Sequence, residues 1–241
     1  MALNSVSNKA KIGNNVIIGD FTVIKDDVVI GNNVKIGSNV IIDDGARISD
    51  NVTLHHGAVV STIPQDLKFK GEVTTLEIGE KTVVREYATL NRGTAASGKT
   101  VIGKNCLLMA YSHVAHDCIV KDNVIIANCG TLGGHVEVDE WAIVGGLVAV
   151  HQFVKIGAHT LLAGFTKAVK DVPPYIIAGS NPTKYEGVNV IGLKRRGFSQ
   201  EQIDSIKEFY KLLYKSGLNI SDAVKQIKES FCCKSSLFDS S

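Results

Sequence analysis

A mainly β fold, a parallel β-helix of hexapeptide repeats followed by a small α-helical C-terminal region, is predicted by three features of this sequence. An aliphatic residue recurs at every sixth position, small residues accompany it in units such as IGNNVK (30–35), IGSNVI (36–41) and IGKNCL (102–107), and the pattern changes at Pro173-Pro174. From Ile12 the series runs without a slip through Ile18, Ile24, Ile30, Ile36, Ile42, Ile48 and Leu54 to Val60. It resumes in phase at Ile78, Val84 and Leu90, and again from Ile102 through Leu108, Val114, Val120, Ile126 and Leu132 to Leu162.

A period of six fits neither the 3.6 of a helix nor the alternation of a plain strand. It fits short strands joined by tight bends, with one aliphatic residue pointing inward per flat face. Three faces make a coil of 18 residues, and successive coils stack about 4.8 Å apart as parallel sheets around a column of Ile, Val and Leu. Residues 61–77 and 91–101 interrupt the series but keep its phase, so each replaces whole repeats and is expected to leave the coil as a loop. The first carries Pro64-Gln65-Asp66-Leu67-Lys68, and the second Arg92-Gly93-Thr94 followed by Ala95 to Lys99. Long loops on a rigid scaffold are where function concentrates.

Proline cannot continue the ladder, so the coil is expected over residues 1–175 and a C-terminal loop and helical region over 176–241. Ser199-Gln200-Glu201-Gln202 has capping-box spacing, Ile203, Ile206, Phe209, Leu212 and Leu213 fall on one helical face, and Gly217 is a stop. A second helix is expected from about Ser221 to Phe231, with a frayed tail after Cys233.

With 241 residues, 44% of them hydrophobic, the chain has the apolar material for a large core. Lys+Arg 26 against Asp+Glu 24 is too balanced for the broad basic field of a nucleic-acid binder, so no nucleic-acid partner is expected and any phosphate site must be local. Met1 to Lys9 lacks the apolar core of a signal peptide and no 18-residue apolar run occurs, which predicts a cytoplasmic protein without a transmembrane segment. The five cysteines, Cys106, Cys118, Cys129, Cys232 and Cys233, form no CxxC pair and are expected to be buried thiols in a reducing compartment.

Of seven histidines, five lie between positions 113 and 159. Folding the sequence at 18 residues per coil puts His116, Gly134 and Gln152 on one vertical line, with His135 and His151 beside it and His113 close by. Such a column suits attack of a hydroxyl on a thioester. An imidazole takes the hydroxyl proton, and a backbone N–H at Gly133-Gly134, where no side chain intervenes, donates to the oxyanion. Asp117 would orient His116, although neighbours on a strand point to opposite faces. Surface histidines and a zinc site of three ligands are the competing readings.

The motif His113-Val-Ala-His116-Asp117-Cys118, with Gln65-Asp66-Leu67-Lys68, Gly133-Gly134-His135-Val136, Val150-His151-Gln152-Phe153, Asp171-Val-Pro-Pro174-Tyr175 and Gly192-Leu-Lys-Arg-Arg-Gly-Phe198, resembles the acyl-(acyl-carrier-protein)–UDP-N-acetylglucosamine O-acyltransferases, the first enzymes of lipid A biosynthesis. The resemblance spans roughly residues 12–215. It implies a left-handed parallel β-helix, a homotrimer with active sites between subunits, no metal or organic cofactor, and acyl carrier protein and UDP-N-acetylglucosamine as partners. It also implies His116 as general base, Asp117 as its partner and Gly134 as oxyanion donor. Asp66, Lys68, His113, His135, His151 and Gln152 match positions that contact the sugar nucleotide or pantetheine. Asn189 and Arg195 match positions near the uridine and phosphates, and Gly164 the floor of the acyl groove, where a small residue goes with a long 3-hydroxyacyl donor.

This chain departs from the family pattern at Ile191, where a glutamate often touches the ribose, and in its short C-terminal region. Lys194, Arg195, Arg196, Lys207, Lys211 and Lys215 still offer cations to an acidic carrier protein. Transfer to a 3-amino analogue of the sugar nucleotide, an acetyltransferase, a zinc hydratase and a purely structural coil are the alternatives.

Overall fold

The computed structural model describes residues 3–232, without the side chains of 220 and 228–232. Two compact units divide the chain, Met1–Gly187 and Val188–Ser241. The first is the β-helix. Its strands, most of them two residues long, form three parallel sheets of nine, eight and ten strands among the described residues. The first sheet runs from Ser5–Val6 to Lys167–Ala168, the second from Lys11–Ile12 to Lys155–Ile156, and the third from Ile17–Ile18 to Ile176–Gly179 and Lys184–Val188.

Every aliphatic residue of the six-residue series from Ile24 to Leu162 is buried. Ile12 and Ile18, on the first described coil, are not. A second inward column stands four residues after the first and includes Val28, Val34, Val40, Ala46, Val52 and Ala58, then Val124, Val136, Ala142 and Val148. Each face thus contributes one large and one smaller residue. Threonine enters this second column where its hydroxyl reaches a corner carbonyl, as Thr22 Oγ1 does at Gly37 O (2.8 Å) and Thr82 Oγ1 at Gly103 O (2.7 Å).

The two interruptions keep the register. Val60 pairs with Leu90 and Leu90 with Val114, while Leu76 pairs with Ala46 on one side and Thr100 on the other. Their outer residues are strand, so the excursions shrink to the segments between Val59–Thr62 and Thr75–Ile78 and between Thr89–Asn91 and Lys99–Ile102. Pro173-Pro174 does not end the ladder: Ile176–Gly179 pairs with Leu161–Leu162, and Thr160 Oγ1 donates to the Pro173 carbonyl (2.8 Å). The prolines sit at a corner, where no ladder N–H is needed, so rungs continue past Tyr175.

In the second unit, α1 (Val190–Arg195) was not evident from the sequence, being too short to show a period. Asn189 caps it, accepting from Gly192 N at 3.2 Å. α2 (Gln200–Lys215) carries the expected capping box on Ser199 and Gln202, and buries Ile203 and Tyr210. α3 spans Ile220–Cys232. No described helix is long and apolar enough to cross a membrane. Cys106 and Cys118 are buried free thiols, pushed by that burial to about 11 and about 12. Cys129 is half-buried; the Cys232 side chain, Cys233 and the tail lie outside the described residues.

Leu132 is wholly buried between Val114 and Val150. Truncation to Ala is expected to cost about 2–5 kcal/mol in chemical denaturation, whereas Lys155→Ala, which breaks an exposed pair with Glu137 (2.9 Å), should leave stability nearly unchanged. Equal costs would contradict a core built on this column.

Candidate active site

Each coil turns three corners of two residues, and the second residue of most corners has positive φ. At the corner between the first and second sheets, His116-Asp117, Gly134-His135 and Gln152-Phe153 stack on successive coils, with φ of 59° at Asp117, 62° at His135 and 67° at Phe153. Backbone bonds lock the stack: His135 N donates to His116 O and Phe153 N to Gly134 O, both at 3.0 Å. Both excursions leave from the same corner on the coils before His116.

The corner geometry lets Asp117 and His116 meet although they are neighbours in the chain. Strand alternation does not apply where φ is positive, and the two side chains turn together, His116 Nδ1 lying 2.7 Å from Asp117 Oδ2. The Asp117 side chain is fully buried and that of His116 only 14% exposed. Asp117 receives a dense set of neutral donors: Thr94 N to Oδ1 (2.9 Å), Thr94 Oγ1 to Oδ2 (2.7 Å), and the Ser97 hydroxyl to Oδ1. Its own N–H donates to Thr100 Oγ1 (2.8 Å). Burial works against its charge, but the hydrogen bonds from Ser97, Thr94 and His116 outweigh it and hold the carboxyl at about 2. An ionised carboxylate only accepts, so His116 carries its proton on Nδ1 and keeps a lone pair on Nε2.

His135 stands edge-on to His116, with ring centroids 5.2 Å apart, and stacks flat on Phe153 at 4.5 Å. Its Nε2 is 3.7 Å from Asp117 Oδ2. His113, one strand earlier, meets Thr89 Oγ1 through Nδ1 at 2.7 Å. Burial pushes its imidazole below the ordinary value; hydrogen bonding at Thr89 opposes the shift and nearby His116 adds to it.

Gly134 is buried under the His116 ring. A Cβ there would meet His116 Cε1 at 2.7 Å and Nε2 at 2.8 Å. Gly133 N donates to Val150 O and His135 N to His116 O, while the Gly134 N–H has no acceptor among the described residues. At a few other corners the matching N–H is taken by a side chain one coil on: Asn14 N by Asn32 Oδ1, Lys104 N by Asp122 Oδ1, Ser38 N by His56 Nδ1. The residue one coil above Gly134 is Gln152, which is exposed and caps nothing.

The structure therefore brings His113, His116, Asp117, Gly134 and His135 together. His151 is exposed at the next coil, with Nδ1 3.1 Å from Gln152 O. Asp66 caps the Lys68 N–H (2.9 Å) in the first excursion, and Lys68 is exposed. The two excursions are tied by Asn91 Nδ2 to Ile63 O (3.1 Å), Thr74 Oγ1 to Gly93 O (2.6 Å) and Arg92 over the Phe69 ring (5.7 Å). Gly164 sits at a different corner, exposed above the Gly146 carbonyl. Asn189, Arg195 and exposed Ile191 belong to the second unit. Thr94 and Ser97 escaped the sequence reading as site residues. Their only signal was a place in the excursion that ends one coil below His116.

The six-residue coil with a buried imidazole–carboxylate pair at its corner falls in the hexapeptide-repeat transferases, and residues 9–44, 27–62 and 99–134 match the family described as bacterial transferase hexapeptide (six repeats). Residues 171–237 match the second domain of UDP N-acetylglucosamine O-acyltransferase. A relative from Burkholderia lata, named acyl-(acyl-carrier-protein)–UDP-N-acetylglucosamine O-acyltransferase, is 46% identical over 175 residues, 72% of this chain and 67% of that one. The UDP-N-acetylglucosamine acyltransferase LpxA from Bacteroides fragilis superposes with a TM-score of 0.92 at 45% identity, covering 95% of this chain and 90% of that one. The Francisella novicida enzyme gives 0.93 at 39% identity, with 96% and 86% covered. The chain belongs to the acyl-(acyl-carrier-protein)–UDP-N-acetylglucosamine O-acyltransferase family and is an acyltransferase of lipid A biosynthesis.

The depressed Asp117 pKa has a measurable consequence. A carboxyl lowered from 3.8 to about 2 contributes stability above the ordinary value, lost as pH falls through the folded value. At full burial this amounts to about 2 kcal/mol. The destabilisation of Asp117→Asn relative to the parent should shrink by that order between pH 4 and pH 2 in denaturant titrations; a difference independent of pH would refute the assignment.

Proposed function

We propose that this acyltransferase moves an (R)-3-hydroxyacyl group from acyl carrier protein to the glucosamine 3-hydroxyl of UDP-N-acetylglucosamine, with His116 as general base. The observation that carries this reading is the fixed order Asp117, His116 Nδ1, free Nε2, set against an uncapped Gly134 N–H. The 3-hydroxyl oxygen attacks the thioester carbonyl carbon while its proton passes to Nε2. The carbonyl oxygen becomes an oxyanion and accepts from the Gly134 N–H. Collapse breaks the carbon–sulfur bond, and the proton on Nε2 goes to the departing thiolate of the carrier protein. Asp117 stays ionised throughout and stabilises the imidazolium.

In this reading Asp66, Lys68, His113, His135, His151 and Gln152 hold the sugar nucleotide and the pantetheine arm. Asn189 and Arg195 take the uridine and phosphates, and Gly164 leaves room for a long acyl chain. The support is their position in the family pattern. The functional assembly is a homotrimer, and transfer needs no metal: chelator treatment should leave the activity in place.

Incubation with UDP-N-acetylglucosamine and a series of 3-hydroxyacyl carrier proteins, read by mass spectrometry, should give an ester product. In His116→Ala the rate should fall by about 10²–10⁴-fold with the fold intact by circular dichroism. Acylation of the 3-amino sugar nucleotide alone would replace the acceptor, and no transfer to either would overturn the reading. Gly134→Ala is expected to lower kcat by about 10²–10³-fold, because the added methyl displaces the His116 ring and crowds the oxyanion donor. Unchanged kcat would remove Gly134 from the mechanism.

A further inference from the structure

We propose that His116, Asp117 and His135 also form a zinc(II)-binding site, and that zinc bound there switches the transferase off. The inhibitory half rests on His116 being the base; the binding half does not. One ligand atom from each of the three residues lies within 4.8 Å of the others. His116 Nδ1 and His135 Nε2 are 2.7 and 3.7 Å from the same Asp117 oxygen. In a tetrahedral site with ligands about 2.0–2.2 Å from zinc, ligand atoms stand about 3.4 Å apart. The two distances to Asp117 differ from that spacing by less than 1 Å, and the two histidine nitrogens lie no more than 4.8 Å apart.

The groups that hold the ligands are in place. Asp117 is fixed through Thr94, Ser97 and the Thr100 hydroxyl, which play the part of the outer hydrogen bonds that orient metal-bound carboxylates. The His135 ring is fixed by its stack on Phe153, the planes 8° apart. His116 and His135 side chains are 14% and 25% exposed, so the fourth position opens to solvent and to a water ligand. Two imidazoles and one carboxylate match zinc, whereas calcium and magnesium want all-oxygen sets.

The chemistry of inhibition balances without loss of a proton. Zinc binds the other neutral tautomer of the imidazole, so the proton that Nδ1 shared with Asp117 moves to Nε2 and the freed Nδ1 lone pair goes to the metal. The nitrogen that served as base is thereby capped, and the Asp117 charge is spent on the metal.

Equilibrium dialysis of the full chain against micromolar zinc chloride in a non-chelating buffer, followed by metal analysis, should retain one zinc per chain. His135→Gln and Asp117→Asn, each checked for fold by circular dichroism, should weaken retention about tenfold or more. His56→Ala, at another corner, should leave it unchanged. Acyl transfer by the parent should fall in step with zinc occupancy and return on adding a chelator. Failure of the parent to retain zinc, or equal affinity in the parent and His135→Gln, overturns the site. Stoichiometric zinc with undiminished transfer overturns the inhibition and leaves the site standing.

Discussion

The corner hydrogen bond governs the rest of the molecule. At most corners the second residue adopts a left-handed conformation and gives its N–H to the carbonyl of the first corner residue one coil below, as Asn33 does to Asn14, Asn123 to Lys104 and His135 to His116. A left-handed residue other than glycine costs on the order of 1 kcal/mol, which one such bond roughly offsets. The bond also fixes the register. A slip of one residue would carry every following aliphatic side chain off the axis, so insertions survive only as excursions that return in phase, which is why Val60 meets Leu90 and Leu90 meets Val114.

What the sequence makes legible is whatever that register repeats. The buried column from Ile24 to Leu162, the phase-keeping excursions and the vertical line of His116, Gly134 and Gln152 follow from counting by six and eighteen. The capping box of α2 was legible for a local reason, since Ser199 and Gln202 satisfy one another without help from the rest of the chain. The hydroxyls that hold Asp117 were not. Thr94 and Ser97 lie in an excursion whose path no period describes, and only the folded chain shows them converging on one carboxylate. The pairing of Asp117 with His116 was named from the sequence, but its means was not legible there: strand alternation does not hold at a residue whose φ is +59°. The continuation of rungs past Pro173-Pro174 was hidden because a proline at a corner costs the ladder nothing.

A β-coil suits the proposed site because it draws the candidate groups from adjacent rungs. His116 and Gly134 are joined through the ladder, so their separation is set by strand spacing and does not depend on a mobile loop. Preorganised donors lower a barrier because they need no reorientation when charge develops. The uncapped Gly134 N–H is the counterpart of that arrangement. A few corners close this N–H with a side chain from the next coil, as at Asn14 and Lys104, and this one leaves it without an acceptor among the described residues.

The charge on Asp117 is compensated unusually. Its hydrogen bonds come from hydroxyls and a backbone amide, and the basic groups paired with it are two histidines. Neutral donors lower the carboxyl's pKa without cancelling its field, so the residual negative charge is felt by His116 at 2.7 Å. An arginine in place of Thr94 or Ser97 would hold the carboxylate equally well but would neutralise it. The hydroxyl cradle keeps the acid ionised and its charge available to the adjoining imidazole.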